Sequence, residues 1–366
     1  MTHTHRNATV DIARGIGIVL VVLGHNGLVL ENKGELFRVI YAFHLPLFFF
    51  LSGLFLKDTD TLRKFALSRA DALLKPYFVV LALAGILMAL EPDVVPTADA
   101  SAAGYFFGVL YATAPTIAWA PLWFLPHLFV ASVVSMAILR ATRTARNRSF
   151  WLGLIASALL AAGIHCMGRF WQTDTGSLRF MGLDHLPGLP WSLDLTFISS
   201  ACILWGFLLR RQVMSLNFST LRFLVAAFAF ALLHYRFNET MDLNLRIYGD
   251  PLIATLQAVL GIYMVLSVSS LLQRYAILQR PLTYIGSGSL LILVFHPVAQ
   301  GRAALVLARV THNDYVAGAL SLAAGIMLPL LILEAARRQR FLAAWLLPRK
   351  FGPPKQASAA SATKLP

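Results

Sequence analysis

Two ionisable residues bracket the first apolar run of the chain: in ARGIGIVLVVLGHNG, Arg14 precedes the run and His25 ends it. Eleven steps at ~100° each make three turns plus about 20°, with a rise of about 16 Å, so on a helix both side chains share one face. Asp11 projects near the same stripe. An imidazole can carry a proton near neutral pH, and a guanidinium holds phosphate through paired N–H donors. An Arg at mid-span costs ~2.5–3.5 kcal/mol on insertion scales, which makes such residues functional candidates. Taken singly, Arg14 could snorkel to the interface as an anchor, and His25 could hydrogen-bond a neighbouring helix. The shared face favours a joint role.

His44, in YAFHLPLFFFLSG, and His296, in LLILVFHPV, fall at estimated depths close to that of His25. The three imidazoles would then lie in the outer half of a bilayer and Arg14 on the inner side. That arrangement suits a reaction joining an anionic cytoplasmic donor to a recipient on the other face.

Positioning these groups needs membrane helices. Of the 366 residues, 58% are hydrophobic and 13% charged, where a soluble domain carries about 25% charged residues; the mean hydropathy is +0.68. Apolar runs recur near the ~20 residues that cross a bilayer, which disfavours a soluble all-α protein. About ten spans are expected, near 10–30, 36–56, 74–91, 121–139, 150–166, 193–209, 220–235, 252–272, 283–300 and 315–334. The stretch GYFFGVLYATAP is too short to span and reads as re-entrant or interfacial. The class is all-α and polytopic, with a transmembrane domain over 1–347 and a Pro-, Ala- and Ser-rich tail over 348–366 that reads as disordered.

The net charge of +14 does not call for a nucleic-acid partner, because the cations collect in short loops between apolar runs. One set of loops holds Lys57, Arg63, Lys64, Arg69 and Lys75, then Arg140, Arg143, Arg146 and Arg148, then Arg210, Arg211 and Arg222. The opposite loops hold fewer, among them Lys33, Arg38, Arg246, Arg302 and Arg309. The positive-inside rule therefore places both termini in the cytoplasm. Cys166 and Cys202 lack metal or redox spacing and read as packing residues. His127, His165, His185, His234 and His312 match no motif and read as surface or packing residues. GSGS at 286–289 lacks the Lys and spacing of a phosphate loop and reads as small-residue helix packing.

Several of these stretches, in order, resemble the acyltransferase-3 family of membrane O-acyltransferases. ARGIGIVLVVLGHNG carries its Arg, ten residues, His signature. YAFHLPLFFFLSGLF is similar to its Phe-His-Met-Pro-Leu-Phe-Phe segment, with Leu45 for Met, and SRADALLKPYF to its basic segment ending in Pro-Tyr. PLWFLPHLF resembles the Trp-Phe-Leu segment of the fucose 4-O-acetylase-like, exopolysaccharide-modifying branch, and YIGSGSLLILVFHPV the late His-x-Pro pattern. The chain departs from the family at Ala72, where members often carry a second basic residue; Lys75 stands near.

The resemblance implies a multi-pass protein of the bacterial inner membrane that moves an acetyl group from acetyl-CoA to a sugar hydroxyl of an exopolysaccharide or other surface glycan. The acceptor would often be lipid-linked. Acetyl-CoA enters as a substrate, with no resident cofactor and no metal. His25 is then the candidate general base, with an acyl-histidine intermediate left open. Arg14 would attract donor phosphate or hold helix register. Arg63, Lys64, Arg69 and Lys75 would form a cationic mouth for CoA, and His44, His296 and Trp123 would position the acceptor. Trp123 and Trp191 serve equally well in an interfacial aromatic belt. A glycan or lipid transporter or flippase, which also needs polar groups at mid-depth, is the rival reading.

Overall fold

A computed structural model describes residues 8–31, 33–58, 61–90, 101–167, 169 and 186–349. The helices run in order as α1 (Ala8–Gly24), α2 (Gly27–Leu30), α3 (Glu35–Tyr41), α4 (His44–Gly53), α5 (Leu62–Arg69), α6 (Lys75–Leu90), α7 (Ala102–Tyr111), α8 (Phe124–Ala141) and α9 (Arg148–Cys166). There follow α10 (Thr196–Leu208), α11 (Arg210–Met214), α12 (Thr220–Phe237), α13 (Pro251–Leu272), α14 (Ala276–Ser287), α15 (Ser289–Thr311), α16 (Asp314–Arg338) and α17 (Arg340–Leu346). Between α12 and α13 a small hairpin pairs β1 (Met241–Asp242) with β2 (Ile247–Tyr248), in the register Met241 to Tyr248 and Asp242 to Ile247.

Nine helical segments among the described residues are long and apolar enough to cross a membrane. α1 adds a further apolar helix of 17 residues, at the lower end of spanning length. Large apolar side chains face outward on the peripheral helices, among them Leu221, Leu224 and Phe228 of α12 and Phe150, Trp151 and Leu154 of α9. Water would penalise a surface of that kind and lipid would not. The chain is an all-α polytopic membrane protein.

α1 lies inside the bundle, touching α4, α13, α14, α15 and α16, with no exposed residue along its length. A helix apolar on every side belongs in such a place. It reaches it through small residues: a Cβ on Gly15 would collide with the Leu282 carbonyl of α14, and one on Gly286 with the Asp11 carbonyl of α1. The Gly286 contact bears out the packing reading of GSGS. A second close crossing joins α4 to α10, where a Cβ on Gly53 would strike the Ile203 carbonyl and one on Gly206 the Phe50 carbonyl. Backbone cannot retreat as a side chain can. Gly206→Ala is therefore expected to destabilise the bundle by about 1–3 kcal/mol, seen as a lower melting temperature in detergent, whereas alanine at Gly301, which meets nothing nearby, leaves it unchanged.

The structure corrects several sequence boundaries. The first span ends at Gly24, so His25 sits in a break between α1 and α2 rather than inside a helix. The third starts at Leu62 and runs to Leu90 through a π-turn at Ala70–Leu74, so Arg63, Lys64, Arg69 and Lys75 are helical, not loop, residues. The ninth divides at Gly288 into α14 and α15. Because α15 continues to Thr311, Arg302 and Arg309 lie on a helix with exposed side chains rather than in a loop. From residue 350 onward the expected tail lies outside the described residues.

Candidate active site

The break after α1 is built by its sequence. Gly24 lets the Tyr41 ring approach closely. Asn26 then caps α2 by accepting from Leu28 N, while its Nδ2 donates to Gly318 O at 2.9 Å and Ser321 Oγ at 3.4 Å on α16. His25 is held between these two anchors. Its Nδ1 lies 2.8 Å from Val21 O. A carbonyl only accepts, so Nδ1 carries a proton, and in the uncharged ring Nε2 keeps the lone pair.

His44 and His296 repeat the device. His44 opens α4 with Nδ1 2.9 Å from Ile40 O. On α15, His296 Nδ1 lies 2.9 Å from Ile292 O and 3.0 Å from Leu293 O. The Leu293 carbonyl is available because its regular helical donor would be the N–H of residue 297, and Pro297 has none. The ring of His296 meets that of His25 edge to face, with centroids 5.2 Å apart. His44 meets Tyr41 in the same manner at 4.6 Å. Each imidazole is thus fixed as the tautomer that offers Nε2 as an acceptor.

A cavity of about 220 Å³ joins His25 and His44 to the arginines. Arg14, Ile18 and Val21 line it from α1, His25 from the break after α1, His44 and Ser52 from α4, Arg69 from α5, Trp123 from the turn before α8, and Asp242 and Asn244 from the hairpin. Arg14 and His25 therefore share one face, as their spacing requires, and that face looks into a cavity. Arg14 lies over the Phe55 ring at 4.5 Å and 3.9 Å from Asp11 Oδ1; Arg69 lies over Phe65 at 5.2 Å. One part of the chamber is cationic and another carries imidazole, indole, carboxylate and amide.

The family model described as an acyltransferase domain, of the acyltransferase-3 type, matches residues 7–334. The chain belongs to the acyltransferase-3 family. Neither the curated proteins nor the solved structures gave a match. As a member of that family it is a membrane acyltransferase.

Of the residues singled out in the sequence, this acyltransferase-3 chain brings Arg14, His25, His44, Arg69 and Trp123 to the cavity wall. His296 is fully buried behind His25 and touches it without lining the cavity. Arg63 and Lys64 are exposed on α5, away from the wall. Lys75 is turned elsewhere: its ammonium donates to Asp71 Oδ1 at 3.1 Å and to Leu347 O at 2.5 Å, tying α6 to the end of α17. Trp191 does not line the cavity either, its indole N–H donating to Leu110 O at 2.8 Å. His234 pairs with Glu35 at 2.6 Å, and His185 lies outside the described residues.

Two features of the site carry no signal in the sequence. His127, one of the histidines that read as surface or packing residues, is fully buried and packs. It stacks under Trp123 with centroids 5.5 Å apart, and its Nε2 lies 2.6 Å from Ser199 Oγ. The indole at the cavity wall therefore rests on a fixed ring. The hairpin residues Asp242 and Asn244 carry no motif. Their place is set by Arg246, whose Nε donates to Asp194 Oδ2 at 2.9 Å, Nη2 to Asp194 Oδ1 and Ser192 Oγ at 3.2 Å, and Nη1 to Asn244 O at 2.8 Å. Burial pushes the Asp242 carboxyl above its ordinary value, against the opposing N–H donors of Leu245 and Asn244 and the charges of Lys33 and Arg246.

Proposed function

We propose that this acyltransferase is an O-acetyltransferase, moving an acetyl group from acetyl-CoA to a sugar hydroxyl of an exported or surface glycan, such as a lipid-linked exopolysaccharide repeat. The observation that carries the reading is the single cavity holding Arg14 and Arg69 together with His25 and His44. Two guanidiniums suit the phosphates of CoA, and the clustered neutral imidazoles suit removal of a hydroxyl proton. Arg63 and Lys64, on the same helix as Arg69, extend the cationic approach. The loop cations favour both termini in the cytoplasm of a bacterial inner membrane, with the donor entering on that side.

In this mechanism His25 Nε2 takes the proton of the sugar hydroxyl as its oxygen attacks the thioester carbonyl. The new C–O bond forms and the C–S bond breaks. The imidazolium then returns the proton to the departing CoA thiolate. Held between Val21 O and the ring of His296, His25 needs no rotamer change to act, so part of the entropic cost of orienting it is already met.

Removing one charge-assisted phosphate contact should weaken donor binding by roughly 10–100-fold. Arg14→Gln and Arg69→Gln are each expected to raise the KM for acetyl-CoA on that scale with a smaller change in kcat, in steady-state assays on the purified full chain. In cells, deletion of the protein is expected to remove base-labile acetyl groups from an exported glycan, read by NMR. Unchanged acetylation of every exported glycan, with the glycan itself failing to reach the surface, would instead favour transport.

A further inference from the structure

The hairpin contributes two residues to the cavity that the mechanism above does not use. Asp242 is the acidic residue among the charged side chains of the wall, and Asn244 stands two residues away. The Asp242 side chain is preorganised, because Oδ1 accepts from Leu245 N at 3.1 Å. The Asn244 backbone is equally fixed, because its carbonyl accepts from Arg246. Its side-chain Oδ1 is buried with no hydrogen-bond partner among the described residues, although a buried acceptor left unpaired is costly. A polar atom of that kind at a cavity wall is suited to accept from a donor that arrives with a ligand.

The neighbours on that wall are Tyr41, His44 and the His127-backed indole of Trp123. Carboxylate, amide, phenol and a flat aromatic face together are the groups that read a polyhydroxylated ring: oxygens accept from hydroxyls and the indole covers the apolar face of the ring. The arrangement also discriminates by charge. A carboxylate already disfavoured by burial is disfavoured further beside an anionic ring.

We propose that Asp242 and Asn244 form the acceptor subsite of the cavity and select a neutral polyhydroxylated ring over one that bears a carboxylate. This rests on the acetyl-transfer reading and adds to it which residues read the acceptor and which class of ring they admit. Arg246 and Asp194 act only through them, by fixing the hairpin.

The test uses the full chain in detergent with acetyl-CoA, and methyl hexopyranosides and the matching methyl uronides as probes. Asp242→Asn is the informative variant, because it keeps the oxygen that Leu245 N needs and removes the charge. Asn244→Ala is the second, with melting temperature followed for both. The expected result is a wild type that uses hexosides and rejects uronides. Asp242→Asn should raise the hexoside KM roughly 10–100-fold, leave the acetyl-CoA KM within about twofold, and lessen the bias against uronides. Asn244→Ala should raise the hexoside KM alone, because it deletes a side chain and leaves the backbone contact to Arg246. A general structural role would move both KM values together with the melting temperature, and that result overturns the proposal. So does equal use of both rings, in which case acetyl transfer stands and only the subsite falls, or use of neither by a wild type that cleaves the acetyl-CoA thioester, in which case donor use stands and the subsite falls. A wild type that neither binds nor cleaves acetyl-CoA removes both.

Discussion

Replacing His25 with alanine is expected to lower acyl transfer by about 10²–10⁴-fold, the range contributed by a positioned general base, with acetyl-CoA binding expected to persist. The size follows from the geometry. Val21 O holds the Nδ1 side of His25, so in the proposed mechanism Nε2 serves as the base, and without it the attacking hydroxyl would lose its proton to water. His44 and His296 hold Nδ1 against a carbonyl in the same way, and in the proposed mechanism they do not replace His25. His44 is set on a different helix, and His296 is buried behind His25 with its Nε2 unpaired. His25→Gln makes the contrast sharper, since glutamine fills a similar volume and accepts no proton near neutral pH. Steady-state rates on purified protein, alongside acetyl-CoA binding by calorimetry, separate the two effects. Retention of more than about a tenth of the wild-type rate in both variants would move the base elsewhere.

Breaking the ion pair between Arg246 and Asp194 has the largest expected effect on stability. Their side chains are 0% and 2% exposed. Loss of one partner strands a buried charge, at about 3–5 kcal/mol. Arg246→Ala and Asp194→Ala should each lower the melting temperature steeply. Replacing both with leucine should recover most of the loss, because well-packed apolar residues in place of a buried pair are often neutral or better. Function should follow stability in one respect. Arg246 holds the Asn244 carbonyl, so any folded single variant should show a higher acceptor KM. Equal melting temperatures for the wild type and both single variants would show that the pair carries no such burden.

The parts of the site that the sequence reveals are those that periodicity controls. Eleven positions at helical pitch put Arg14 and His25 on one face whatever the packing around them, and His44 and Trp123 lie within short runs of strong pattern. Fold class followed from composition for the same reason. Asp242 and Asn244 were invisible because nothing local brings them to the cavity. They arrive through a short hairpin, with strands of two residues each, and a guanidinium that reaches 52 positions back along the chain to Asp194. By charge counting Arg246 is a loop cation, and it is in fact buried.

Lys75 shows the opposite failure. Its position after a basic run suggested a donor contact, yet a helical register that includes the π-turn directs it to Asp71 and Leu347. The ninth span was misdrawn for a related reason. Hydropathy drops at Gln300 and Arg302, but α15 continues because one helical face can carry polar side chains while its backbone bonds remain satisfied. His127 is a packing residue, one of the two readings its sequence allows, but the ring it packs against, Trp123, is evident only in three dimensions.

All of these expectations depend on one cavity serving as the meeting place of donor and base. The most direct measurement is a cryo-EM structure of the full chain with a non-hydrolysable acetyl-CoA analogue. The account predicts phosphate density beside Arg14 and Arg69 and the acyl carbon within about 3.5 Å of the oxygen of a hydroxyl placed in hydrogen-bonding reach of His25 Nε2. An analogue seated on another face of the protein, or one whose acyl end points away from His25, would contradict it.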